Sequence, residues 1–277
     1  MTRVGIVGAG RAGCGVGAAL AHAGIDVILH SRERHALPVS LEHTSGPSVP
    51  WLAERPLVLL AVPDDSVPTV AAELAASGVI SPRHVILHLS GSSGVEVLES
   101  LRGTGAALGA FHPFQTLADP VAAPARLRGA VAAVSGDARA VAAARELAHA
   151  VGLRVVEIPD AGRVAYHAAA VFASNYVVVL ARVAASLLAA TGLSESEVRQ
   201  ALQRIIEGAA ANIGSTGVSA ALTGPVVRGD VKTLERHLAA VPATWRALYR
   251  ELVRAALDMT DHPAERRQEI LDLVDRA

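Results

Sequence analysis

Val4-Gly5-Ile6-Val7-Gly8-Ala9-Gly10-Arg11-Ala12-Gly13 is the stretch on which the fold turns. A short apolar run ends in G-x-G-x-x-G, and a helical pattern over 13–23 follows at once. The motif alone is weak; between a strand and a helix it acquires a physical meaning. The first glycine permits a tight turn, the second lets backbone approach a pyrophosphate, and the third allows close helix–strand packing. The helix N-terminus then offers free N–H groups to an anion. Gly8, Gly10, Arg11 and Gly13 are therefore expected to hold a dinucleotide.

Outward from this stretch, apolar runs alternate with helical patterns. Strands are predicted at 4–7, 26–30, 57–62, 84–89, 107–111, 131–134 and 154–158, with helices over 13–23, 67–77 and 138–151. Continuous apolar strands alternating with helices predict a mainly parallel sheet covered on both faces, a doubly wound α/β Rossmann fold. After Pro159 no convincing strand follows. Asp160 is expected to cap a long helix starting near 161, and Ser194-Glu195-Ser196-Glu197 fits a capping box. Further helices are predicted over 231–239, 244–259 and 264–275. The expected division is a dinucleotide-binding domain, 1–159, and an all-helical domain, 160–277.

Composition narrows the function classes. The 277 residues are 51% hydrophobic and carry a formal net charge of -1, which argues against a disordered chain and a general nucleic-acid binder. One cysteine, Cys14, excludes a disulfide scaffold and suits a reducing compartment. No metal-ligand spacing is evident. Only one of the 25 basic residues is lysine, Lys232, so a lysine-driven mechanism has one candidate. Met1-Thr2-Arg3 does not open a signal peptide, and a cytoplasmic protein is expected. Residues 168–192 are long and apolar enough to span a bilayer, yet contain Ser174, Asn175 and Arg182. A helix buried on most sides at a domain or subunit interface is the expectation there.

The end of the second predicted strand bears on cofactor choice. An acidic residue there would hold ribose hydroxyls, whereas this chain has His30-Ser31-Arg32-Glu33-Arg34. A hydroxyl followed by arginines suits a 2′-phosphate, so Ser31 and Arg32 are assigned to NADP(H). Val62 ends the third strand of this reading, Pro63 and Ser90 follow the third and fourth, and all three are also assigned to the cofactor.

In the second half Arg163, His167, Ala170 and Ser174 fall on one helical face. A polar stripe on an apolar helix needs partners or a ligand. Arg163 also stands in the first turn, where a cation opposes the helix dipole. A bound anion would explain it. Asn175 lies off that face, within reach of either the cofactor or another helix. Phe111-His112-Pro113 follows the fifth strand, placing His112 at a cleft mouth. Thr223-Gly224-Pro225 through Arg228-Gly229-Asp230 reads either as a helix–helix turn or as a carboxylate clamp, Arg228, oriented by Asp230.

Gly8–Gly13, Leu60-Ala61-Val62-Pro63-Asp64, Phe111-His112-Pro113, Tyr166-His167-Ala168-Ala169-Ala170 with Ser174-Asn175, and the Thr223–Asp230 region together resemble one family. It comprises Rossmann-like NADP-binding oxidoreductases with a helical C-terminal domain of unknown function. It is similar to ketopantoate reductase, 6-phosphogluconate and 3-hydroxyisobutyrate dehydrogenases, and pyrroline-5-carboxylate reductase. The resemblance implies a homodimer packed through the helical domain and a small-molecule substrate, with no nucleic acid or membrane partner. It also implies hydride transfer to a ketopantoate-like 2-oxoacid, or alternatively reduction of a cyclic imine. A non-catalytic NADP-binding regulator is a further alternative, and a deazaflavin a further hydride partner. Where the hydroxyacid dehydrogenase relatives place a catalytic lysine and asparagine, this chain has Arg163 and His167. Arginine is a poor proton shuttle, so His167 is expected to supply the proton and Arg163 to bind a carboxylate or the developing oxyanion. His112, Ser174, Asn175 and Arg228 are expected to bind substrate.

Overall fold

The computed structural model describes residues 3–276. Met1 and Thr2, which belong to the segment read for targeting, and Ala277 lie outside the described residues. The chain forms two compact units, 1–175 and 176–277. The first extends beyond the boundary expected at 159/160 because the helix after Pro159 is tied to the sheet, as described below.

The first unit runs β1 (Arg3–Val7), α1 (Arg11–His22), β2 (Asp26–Ser31), β3 (Glu42–Ser45), β4 (Leu57–Leu60), α2 (Val67–Ala76), β5 (Val85–His88), β6 (Ala107–Pro113), α3 (Ala123–Leu127), β7 (Val131–Gly136), α4 (Ala138–Val151), β8 (Arg154–Glu157) and α5 (Arg163–Ala173). The eight strands lie in the order β3-β2-β1-β4-β5-β6-β7-β8. Every pair is parallel except β6 and β7, which are antiparallel. Strand order reverses between β1 and β4, the switch point where this fold opens a crevice beyond the strand carboxyl ends.

Strand alternation divides the apolar side chains between two cores. Val4, Ile6, Leu57, Leu59, Val85 and Leu87 face α1, α3 and α4. Val7, Val58, Leu60 and Ile86 face α2 and the 3-10 segment Val95–Thr104. Strand β3 was not expected: Glu-His-Thr-Ser has no apolar signal, and it pairs only along the sheet edge.

The glycine loop does what its spacing requires. Gly8 has φ 116°, and a Cβ there would lie 2.3 Å from the Ala61 carbonyl oxygen. A Cβ on Gly13 would lie 1.9 Å from the Gly8 carbonyl oxygen, so helix and strand approach through bare backbone. Gly10 has open space around it.

Asp160 does not cap α5. Residues Asp160–Gly162 form a 3-10 turn, and Gly162 is the N-cap of the α-helix beginning at Arg163. The helix also breaks at Ser174, whose φ of -129° and ψ of -67° lie outside the helical region.

The second unit contains α6 (Asn175–Ala189, whose first residue closes the first unit), α7 (Glu195–Thr216), α8 (Val218–Ala221), α9 (Pro225–Arg228), α10 (Val231–Ala240), α11 (Ala243–Leu257) and α12 (Ala264–Arg276). The capping box at Ser194 and Glu197 is formed. Leu234, Leu238, Val253, Leu257, Ile270 and Val274 form this unit's core. The apolar span Asp160–Ala189 holds an 18-residue window of mean hydropathy 1.8, and no residue of that window is buried. The expectation of a helix buried on most sides is corrected for the single chain: Phe172, Val178, Val179 and Leu180 are exposed.

Gly13→Ala is expected to cost more than about 3 kcal/mol, because the clash is with backbone that cannot turn away. Gly10→Ala, with no neighbour to strike, should stay within about 1 kcal/mol of the parent. Urea unfolding of the two variants checks the contrast.

Candidate active site

Loops from β1, β4, β5 and β6 converge with the first turns of α5. Gly8 packs on Ala61 after β4. The Ser92 hydroxyl of the turn after β5 donates to Asp64 Oδ2 at 2.9 Å. Within that turn the nearly buried Ser90 hydroxyl accepts from the Ser93 N–H and donates to the Ser93 hydroxyl, both at 3.1 Å. It thereby shapes the loop itself.

Arg163 is fully buried. Its Nε donates to the Ser135 hydroxyl at 3.1 Å and lies 3.5 Å from Asp160 Oδ1. Its Nη1 reaches the Ser90 carbonyl at 3.5 Å. Asp160 also accepts from the Ser135 hydroxyl at 2.8 Å and the Val95 N–H at 3.2 Å. One ion pair thus ties α5 to β7 and to the loop after β5. It explains a cation in a first helical turn, which α5 alone does not. Burial lowers the Arg163 pKa, opposed by Asp160. Burial pushes Asp160 up, but bonds from Ser135 and Val95, with Arg163 nearby, hold its carboxyl below the ordinary value.

One helical turn on, Tyr166 and His167 meet His112. The Tyr166 hydroxyl donates to the His112 carbonyl at 3.2 Å and lies 3.1 Å from His112 Nδ1. The hydroxyl has one proton, so His112 Nδ1 donates to it and Nε2 carries the lone pair. The His112 and His167 rings stand edge to face, centroids 6.0 Å apart. Gly91 faces both: a Cβ there would fall 2.6 Å from His167 Nδ1 and 2.8 Å from His112 Nε2. Only a residue without a side chain lets the two imidazoles converge at this point.

The field around them is one-sided. Burial first, then His167 and Arg163, push His112 down to about 4. Burial and Arg163 likewise hold His88 at about 4, its Nε2 donating to the Gly94 carbonyl at 3.0 Å. Burial raises Tyr166 to about 12. His112 is therefore a neutral acceptor near pH 7. Among the described buried atoms, His167 Nδ1, His88 Nδ1 and Arg163 Nη2 have no hydrogen-bond partner. Buried polar atoms without a partner are a ligand-binding signal.

The other expected site residues belong to several elements. Arg11 is exposed in the first turn of α1, and no side chain caps that helix. Ser31 ends β2, and Arg32 lies on the surface 3.8 Å from Glu73. Val62 is half-buried and Pro63 exposed just beyond β4. Ser174 donates to the Ala170 carbonyl at 2.6 Å and contacts Asn175 Oδ1 at 2.9 Å, a local arrangement at the helix break. Arg228 belongs to the second unit. Asp230, expected to orient it, instead caps α10 through the Thr233 N–H at 3.1 Å. Sequence reasoning did not assign His88, Gly91, Ser135 or Asp160 to the site. Gly91 in a serine-rich turn beyond a strand was the one available signal; the pairing of Asp160 with Ser135 depends on β7 reversing direction.

A parallel sheet with a glycine loop at its switch point, followed by helices, defines a Rossmann-type protein with a helical C-terminal region. Residues 1–113 match the Rossmann-like domain family and residues 130–256 the domain of unknown function DUF2520, so the chain joins these two domains. No curated protein matches it significantly. Among solved structures it is similar to a Bacteroides fragilis protein described provisionally as an NADP oxidoreductase, at 21% identity and TM-score 0.75, covering 93% of this chain and 98% of that one. A Plasmodium falciparum pyrroline carboxylate reductase with NADP bound matches at 12% identity and TM-score 0.67, covering 99% and 98%. A reductive aminase from Aspergillus terreus, in complex with NADPH and ethyl-5-oxohexanoate, matches at 22% and 0.60, covering 100% and 93%.

The neutral histidines set an acid sensitivity. Unfolded histidines bind protons near pH 6.5, whereas folded His88 and His112 bind them only near pH 4. The unfolded chain therefore takes up more protons in that window, and stability falls as pH drops through it. Between pH 7 and pH 5 the loss should be about 2 kcal/mol per histidine, and His88→Gln should remove its share. Urea midpoints at the two pH values measure this.

Proposed function

We propose that the chain is an NADP(H)-dependent reductase of a small carbonyl or imine compound. The observation that carries this reading is the convergence of His167 Nδ1 and His112 Nε2 at Gly91, in the unit that bears the glycine loop. The loop fits a dinucleotide: space is open at Gly10, and the first N–H groups of α1 lack a side-chain cap. When bound, the nicotinamide would supply the hydride. The NADP and NADPH in the similar structures support that choice of cofactor.

The chain's own residues then divide the work. With a carbonyl substrate His167 donates the proton to the reduced oxygen, being the histidine of the pair without a bond to Tyr166. His112, held neutral, accepts a hydrogen bond through Nε2. Arg163 is a positioning residue: its bonds to Ser135, Asp160 and Ser90 fix the first turn of α5 and hence His167.

One observation favours an imine over a carboxylated ketone such as a ketopantoate-like oxoacid. Arg163, the cation expected to clamp a carboxylate, has Nε and Nη1 engaged by protein oxygen atoms, which leaves Nη2 alone and no two-donor fork for a carboxylate. A protonated imine needs neither that clamp nor an acid for its nitrogen. NADPH oxidation is expected with cyclic imines, and faster than with 2-oxoacids; the reverse order overturns the imine reading. Tight NADPH binding without oxidation by either class would favour a non-catalytic binding protein. His167→Ala should lower kcat for carbonyl substrates by about 10²–10⁴-fold and leave NADPH affinity within about twofold.

The exposed apolar surface of α6 and α7, including Val178, Leu180, Ile205 and Ile213, supports a homodimer. Sedimentation should give twice the chain mass at micromolar concentration, and Leu180→Glu with Ile205→Glu should shift it to monomer. A wild-type monomer would remove the dimer proposal.

A further inference from the structure

Beside the glycine loop, the segment joining β2 to β3 and the edge strand β3 itself border an open surface hollow of about 500 Å³. Arg34, His35 and His43 line it with Leu37, Val39 and Leu41, and no carboxylate does. His43 Nε2 lies 2.7 Å from the Ser31 hydroxyl, which itself donates to the Glu33 carbonyl at 2.7 Å. The hydroxyl proton is thus committed, so His43 Nε2 is a donor and Nδ1 is the nitrogen free to take a second proton. His35 stands edge-on to His43, ring centroids 5.3 Å apart. Its Nδ1 faces the Glu33 carbonyl at 3.1 Å and its Nε2 the Ala9 carbonyl at 3.4 Å. In the neutral ring one of the two nitrogens donates to its carbonyl.

Ser31 ends β2, where the adenosine ribose of a dinucleotide lies in this fold. We propose that His43 and His35, with Ser31 and Arg34, form the seat of the 2′-phosphate and make the preference for NADP(H) over NAD(H) strengthen as pH falls. The proposal rests on the NADP(H) reading above and adds two histidines that the strand-end pattern did not reveal.

The surrounding charges are consistent with an anion site. From β2, His30 is buried and bonded to Thr44 and the Gly46 carbonyl, and burial lowers its pKa. From the loop, Arg32 lies near Glu73 of α2, while Arg34 Nη1 reaches the His43 carbonyl. Glu33 approaches the histidines through its carbonyl. On β3, Glu42 is exposed on the face opposite His43, by strand alternation. Burial, then His35 and Arg34, hold His43 below its ordinary value. A dianion between these groups reverses that repulsion, so binding draws a proton onto His43. Below about pH 6 the phosphate itself takes up a proton, which confines the effect to the range above it.

Titration of the full-length protein with 2′,5′-ADP and with 5′-ADP, at pH 6.5 and 8.5, tests this. The expected result is tighter binding of 2′,5′-ADP, with the affinity ratio rising about fivefold or more at the lower pH. His43→Gln should remove most of that rise and His35→Gln part of it, while 5′-ADP binding to each variant reports an intact nucleotide site. A ratio favouring 2′,5′-ADP but unchanged by pH, or by both substitutions, overturns the histidine seat and leaves the NADP(H) reading standing. No preference for 2′,5′-ADP at either pH overturns that reading and the seat with it.

Discussion

The pair between the buried Arg163 and the partly exposed Asp160, bridged by Ser135, is the contact on which the candidate site depends. A buried charge pair rarely adds much net stability, because desolvation offsets most of the attraction. Its value lies in what it fixes. The guanidinium reaches the loop after β5 and the side chain of β7 at once, so the first turn of α5 can dock in only one way. That docking puts Tyr166 on His112 and His167 against Gly91. Removing Asp160 leaves the buried guanidinium without its counter-charge, which is costly, whereas removing Arg163 leaves a carboxylate that water can reach. The site and the extension of the first unit to residue 175 therefore share one cause.

The same cation shapes the chemistry around it. Arg163 and burial both disfavour a second positive charge, which keeps His88 and His112 neutral. An arginine suits this task better than a lysine, since it stays protonated and spreads its donors over several acceptors. The near-absence of lysine is spread over the whole chain, with Lys232 the single example, so it reflects composition as much as chemistry. At position 163 the two meet: a permanent cation serves as scaffold and electrostatic background, and proton transfer falls to the imidazole one turn away.

What the sequence reveals here follows the range of each interaction. The glycine loop is legible because its constraints are local: Gly8 and Gly13 answer to backbone within the same β-α unit or the adjoining strand. Buried strands announce themselves through continuous apolar runs. Edge strand β3 does not, because Glu42 and His43 face solvent or a polar pocket and need no apolar pattern. The partner of Arg163 was hidden for a different reason. Asp160 reads as a helix cap when only neighbouring residues are considered, and its actual partners, Val95 and Ser135, are distant in sequence. Ser135 reaches it only because β7 runs antiparallel to β6, a reversal that no local pattern encodes.

The break at Ser174 shows how one apolar stretch serves two units. Up to Ala173 the inward positions follow helical spacing, with Arg163, Tyr166, His167 and Ala170 less exposed than their neighbours. Ser174 then bonds back to the Ala170 carbonyl, a hydroxyl arrangement that bends helices. Beyond it, α6 begins at Asn175 with large aliphatic side chains left exposed. An unbroken helix would carry the face of α5 onward at a fixed phase of about 100° per residue. The break releases α6 from that phase. The first segment is fixed by the charge network of the sheet, while the second leaves Val178, Val179 and Leu180 exposed.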